Sequence, residues 1–163
     1  MTPRQHAVSL LKFTRHITLD ILKGIPDDKF AHQRSPADNH PAWVLAHLAM
    51  TDAWIGGLLS VPGIKIPDGW DKLAGQGSKP TSNLKQYPAP SELRTVFEST
   101  RAALLNFLEA CPDSALQGDL KEKTGGFATD PIDGLFKIAW HEGWHMGQVA
   151  TLRKDLGLPP VMG

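Results

Sequence analysis

The chain of 163 residues has one cysteine, one tyrosine, no long apolar run and no excess of charge of either sign. With Cys111 alone, no intrachain disulfide can form, and beside Pro112, with no cationic neighbour, it reads as a half-buried structural thiol. No stretch approaches the ~18 apolar residues of a membrane-crossing helix. Met1-Thr2-Pro3-Arg4-Gln5-His6 leads into no signal-peptide core. Lys plus Arg and Asp plus Glu both number 17, and no cluster of Lys and Arg supplies the basic stripe that displaces counterions from nucleic acid. Nucleic acid and membrane are therefore not expected partners, and a reducing cytoplasm is the expected location. Sustained alternation of apolar and polar residues is missing as well, which argues against strands.

What is present is helical periodicity on an ordinary globular composition, 41% hydrophobic, expected to form one domain over residues 1–163. Four segments carry it. The first runs from about Pro3 to Lys23 with Leu10, Phe13, Ile17 and Ile21 on one stripe, ended by Gly24 and Pro26. The second opens at Pro41, where a missing N–H costs nothing, and reaches about Leu59. The third is expected from Ser91 as N-cap to Pro112, with a stripe of Leu93, Val96/Phe97, Thr100, Leu104 and Phe107/Leu108. Asp130-Pro131 opens the fourth, with Asp133 in its first turn, and Gly157 with Pro159-Pro160 stops it after Leu156. Between the second and third, residues 62–90 are rich in Gly, Pro and Ser and read as a long irregular connection of the lid or binding-loop kind. Four amphipathic helices with two long connections predict an all-α four-helix bundle.

The buried stripe of the fourth helix carries the chemical signal. Stepping from Ile138 by 3, 4, 3 and 4 gives His141, His145, Gln148 and Leu152, so three successive seam positions are polar. An unpartnered buried polar group costs about 1–3 kcal/mol, and a metal ion is a compensation that suits two histidines one turn apart. A third ligand is expected from a facing helix. His47 supplies it, standing among Trp43/Val44, Met50/Thr51 and Trp54/Ile55 on the second helix. His6, His16, His32 and His40 lie outside the stripes, in a turn or at a cap. Gln148 reads either as orienting a ligand histidine or as a substrate contact, with a plain hydrogen bond across the seam as the blander alternative. Trp43, Trp54, Trp140 and Trp144 read as packing and interface residues.

His141-Glu142-Gly143-Trp144-His145 also matches the zinc-protease helix H-E-x-x-H. The further ligand of those proteases is missing: position 148 is Gln, position 151 is Thr, and no glutamate follows Glu142. Peptidase activity is not expected. Glu142 remains open as a base, as a partner behind a ligand, or as an exposed helix residue.

With Asn39-His40-Pro41-Ala42-Trp43-Val44-Leu45-Ala46-His47-Leu48 upstream, His141-Glu142-Gly143-Trp144-His145-Met146-Gly147-Gln148-Val149-Ala150 downstream and the tail Thr151–Gly157, the chain resembles the DinB/YfiT-like family over nearly its whole length. Met146 stands where relatives often carry Arg or another polar residue. The resemblance implies an up-down-down-up bundle whose three histidines bind a divalent metal, commonly zinc or nickel. It also implies kinship to transferases and isomerases that use a low-molecular-weight thiol as cofactor. The expectation is a metal-dependent enzyme acting on a small electrophilic molecule, with a hydrolase as the close variant and a homodimer as the expected assembly. A non-catalytic metal-binding stress or interaction protein, and a metal-free histidine cluster, stay open beside it.

Overall fold

A computed structural model of the chain describes residues 1–36 and 38–161. All regular structure among them is helical. The elements are α1 (Pro3–Leu22), α2 (Pro41–Leu58), the short α3 (Trp70–Ala74), α4 (Pro90–Ala110) and α5 (Pro131–Asp155), with 3₁₀ turns at Asp27–Lys29, Leu84–Gln86 and Asp113–Leu116. Each of the four long helices begins on a proline, whose fixed φ suits the first helical position. Thr2 and Gln5 form a reciprocal capping box on α1, the His40 ring accepts from Trp43 N on α2, and Asp130 accepts from Asp133 N on α5. At the other end of α5, Gly157 takes a positive φ of 71° after Leu156, a stop expected of glycine. Among the described residues no helix is long and apolar enough to cross a membrane.

Helix α1 packs on α5 and α4, and α2 packs on α4, α5 and α3. The core falls into two apolar clusters. One holds Leu22 of α1, Leu45 and Ala49 of α2, Leu93 and Phe97 of α4, and Met146 and Val149 of α5. The other holds Ala7 and Leu11 of α1, Ile55 of α2, Leu104 and Leu108 of α4, and Leu135 and Ile138 of α5. Between the two, each long helix contributes one buried charged residue: Arg15, Asp52, Arg101 and Glu142.

Three sequence expectations are corrected here. On α1 the buried residues are Ala7, Leu11, Arg15, Thr18, Ile21 and Leu22, so that of the predicted stripe Ile21 is buried, Leu10 and Ile17 are half-buried and Phe13 is exposed. An arginine occupies the seam because two carboxylates meet it there, and the apolar pattern alone rotated the predicted face. The N-cap of α4 is Ala89 rather than Ser91, since Pro90 takes the first helical position. The connection 62–90 is only partly irregular: it contains α3 and a 3₁₀ turn and buries Trp70, Ala74 and Tyr87 against the first apolar cluster. The stripe predicted for α4 holds at Leu93, Phe97, Thr100, Leu104 and Leu108. Cys111 is buried, with Sγ facing Leu108 O. Trp43 is buried, whereas Trp140 and Trp144 stack on one another at 5.7 Å on the exposed face of α5.

Candidate metal centre

His47 from α2 meets His141 and His145 from α5, and one ring nitrogen from each lies within 4.8 Å of the others. His141 Nε2 is 2.9 Å from His145 Nε2 and 3.3 Å from His47 Nε2. The one-turn spacing on α5 explains the first distance, because residues four apart share a helix face. The second depends on how α2 lies against α5. Trp43, one turn before His47, stacks on its ring at 4.5 Å, and Trp144 stacks on His145 at 5.5 Å, so both imidazoles are held flat against indoles.

The partners of the other ring nitrogens decide the tautomers. His47 Nδ1 is 2.8 Å from the carbonyl of Ala74, the last residue of α3. A carbonyl oxygen only accepts, so His47 carries its proton on Nδ1 and turns a lone pair inward at Nε2. His145 Nδ1 is 2.9 Å from Gln148 Oε1, which also accepts from Asn39 Nδ2 at 3.1 Å. His145 is thereby fixed in the same tautomer. His141 Nδ1 is buried with no hydrogen-bond partner.

Two inward lone pairs facing a third ring nitrogen form a poor hydrogen-bond cluster. One proton on His141 Nε2 serves one neighbour and leaves the other unpaired. The donor set instead fits a cation: ligand nitrogens about 2.0–2.1 Å from a tetrahedral ion stand roughly 3.3 Å apart, close to the spacings observed. Burial pushes the pKa of His145 down to about 4, and burial together with the neighbouring His145 and His47 takes His141 to the same value. Burial also lowers that of His47. All three are therefore neutral near pH 7, the form that donates a lone pair to a metal. The group is compatible with holding one metal ion.

The segment after α2 lies along that helix as a strap. His47 bonds to Ala74 O, Trp43 Nε1 donates to Ser78 Oγ at 2.9 Å, and His40 Nε2 faces Thr81 O at 2.9 Å. Residues 40, 43 and 47 share one face of the helix, so one stripe of α2 meets successive points of the strap in antiparallel order.

Of the other predicted site residues, Gln148 stands directly behind His145. Glu142 lies elsewhere. It is fully buried rather than exposed, and Oε1 accepts from Arg15 Nε at 2.9 Å and Thr18 Oγ1 at 2.7 Å, with Oε2 2.7 Å from Arg101 Nη2. Those two arginines hold its carboxyl below the usual range against the opposing effect of burial. It belongs to the charged layer, not to the group of three imidazoles. Sequence reasoning missed Asn39, the Ala74 carbonyl, and Arg15, Asp52 and Arg101. A signal for Asp52 existed: it is the one carboxylate in the mostly apolar segment 41–58, which has no Lys or Arg, and a lone carboxylate there requires a partner.

No curated protein matches the chain in a sequence search. The family model described as the DinB superfamily matches residues 10–149, a span that takes in all three histidines, the four long helices over most of their length and the strap. On that match the chain belongs to the DinB superfamily.

Proposed function

We propose that the protein binds one divalent metal ion, zinc or nickel, through Nε2 of His47, His141 and His145, and that it is a metal-dependent enzyme acting on a small electrophilic molecule. The observation that carries the metal reading is the pair of fixed tautomers: the Ala74 carbonyl and the Gln148 amide oxygen force the lone pairs of His47 and His145 toward His141. Three protein ligands leave a coordination position open, as in catalytic rather than closed structural sites. The chemistry such an ion supplies is Lewis acidity, which makes a coordinated thiol or water a nucleophile near neutral pH. The protein's own part is to present three neutral imidazoles, to orient two of them by hydrogen bonds to Nδ1, and to shield their faces with Trp43 and Trp144. Use of a low-molecular-weight thiol, as transferase or isomerase, belongs to this reading, with hydrolysis as its close variant. Glu142, committed to Arg15 and Arg101, is read as an anchor and not as the base.

The architecture is read as an up-down-down-up bundle. In support, α1 and α5 enter the cluster containing Leu104 first and the cluster containing Phe97 second, whereas α2 and α4 meet them in the opposite order.

Metal analysis of untagged protein is the first test, with near one equivalent of zinc or nickel expected. Cobalt substitution followed by titration with cellular thiols is the second. A shift of the visible bands is expected for a thiol-using enzyme. Spectra that no thiol perturbs would argue against the thiol-using enzyme, and protein that holds no metal as purified and takes none up on reconstitution would refute the site.

A further inference from the structure

Arg15, Asp52, Arg101 and Glu142 are at most 7% exposed and meet in the middle of the core. Arg15 reaches Asp52 Oδ2 through Nη2 and Glu142 Oε1 through Nε, both at 2.9 Å. Arg101 takes Asp52 with two nitrogens, Nε to Oδ2 at 3.0 Å and Nη2 to Oδ1 at 2.7 Å, and its Nη2 lies 2.7 Å from Glu142 Oε2. Each arginine thus spans both carboxylates. The arginines also lock onto the opposite helix's backbone, Arg15 through Nη1 to Phe97 O on α4 and Arg101 through Nη1 to Leu11 O on α1 at 3.1 Å.

The division of roles among helices is the informative point. Both carboxylates sit on the helices that carry the imidazoles, Asp52 five positions after His47 and Glu142 next to His141. Both guanidinium groups sit on α1 and α4, which carry none of the three. Convergence of His47 on the α5 pair requires a fixed spacing and register between α2 and α5, and apolar contacts alone tolerate sliding. Planar, multiply bonded guanidinium groups do not. A buried ion network is a weak source of stability compared with apolar residues of similar volume, and its best-attested use is to fix register.

We propose that Arg15 and Arg101 are positioning residues of the metal centre, which clamp α2 to α5 through Asp52 and Glu142 so that the three imidazoles meet. This inference rests on the metal reading given above.

The test separates register from stability. In the variant Arg15→Met/Asp52→Leu/Arg101→Met/Glu142→Leu the network becomes apolar, and wild-type helicity and an equal or higher unfolding midpoint are expected. Its affinity for Co(II), measured by competition with a chelator, should nevertheless fall at least tenfold, and the cobalt d–d bands should move. Arg101→Lys keeps the charge but cannot span both carboxylates, and it serves if the quadruple variant does not fold. It should lower Co(II) affinity and move the bands in the same sense. Leu104→Ala, in the apolar cluster that holds none of the residues stacked on or bonded to the three histidines, controls for lost stability and should leave affinity and bands unchanged. Wild-type affinity and spectrum in a folded clamp variant would overturn the proposal. Wild-type protein that binds no Co(II) would instead remove the metal reading on which the clamp depends.

Discussion

Gln148 Oε1 lies 2.9 Å from His145 Nδ1 and simultaneously accepts from Asn39 Nδ2, so an amide one turn along α5 sets which nitrogen of His145 faces the other imidazoles. The same job falls to a backbone carbonyl at His47, where Ala74 O takes the Nδ1 proton. The two histidine-bearing helices therefore use different devices for one end: α5 uses a side chain of its own, and α2 uses the strap laid across it. The metal reading makes distinct predictions for each.

Removing one ligand should empty the site. His145→Ala should drop bound metal from near one equivalent to background in elemental analysis, with circular dichroism unchanged. Metal content equal to that of the wild type would reject this histidine as a ligand.

Gln148→Leu removes the acceptor behind His145 while keeping most of the side-chain volume. Partners of this kind typically contribute 10–100-fold in metal affinity, and a loss of about that size is expected by chelator competition. Gln148→Glu retains an acceptor and should bind metal more tightly than Gln148→Leu. Equal affinities in the two variants would show that Oε1 does not orient the ring.

Gly75 ends α3 directly after the carbonyl that holds His47. A Cβ added there would fall 2.2 Å from Asp71 O, so Gly75→Ala must displace backbone rather than a flexible side chain. Faster limited proteolysis within residues 75–80 and weaker metal binding are expected together, because the Ala74 carbonyl moves with the strap. Increased proteolysis with unaltered metal affinity would uncouple the strap from His47.

Acid should destabilise the metal-free protein at a higher pH than carboxylate titration alone would. Burial holds His40 at about 4 against 6.5 for a free histidine, so between those values the unfolded chain binds the extra proton. His141 and His145 are displaced to about 4 as well. Stability is complete above about pH 6.5 and declines as the pH falls toward 4. Urea midpoints measured from pH 8 to 4 should show this, and His40→Asn, which keeps a capping side chain, should flatten the decline. An unchanged slope in that variant would count against His40 as a contributor.

Leu104 is fully buried in the second of the two apolar clusters. Leu104→Ala should cost about 2–5 kcal/mol of unfolding free energy while metal affinity stays the same. Loss of both would mean that global loosening, rather than the local groups, governs the site.

The amino-acid sequence by itself determined the four long helices and singled out the three histidines that group together. Proline openings at Pro41 and Pro131, the Asp130 cap and the Gly157 stop are local signals, written within a few residues and obeyed as written. The three histidines were legible because polar residues interrupt an apolar period, and the period alone places them inward. Only the tertiary structure decided the face of α1, the strap over α2 and the partners of Glu142. Those depend on pairings between residues as far apart as Arg15 and Glu142, whose charges look exposed in any single helix and become buried only when four helices bring opposite charges together. Periodicity assigns a side chain to the core by its own polarity, and it has no means of seeing a polar group whose cost is offset by a partner 127 positions away.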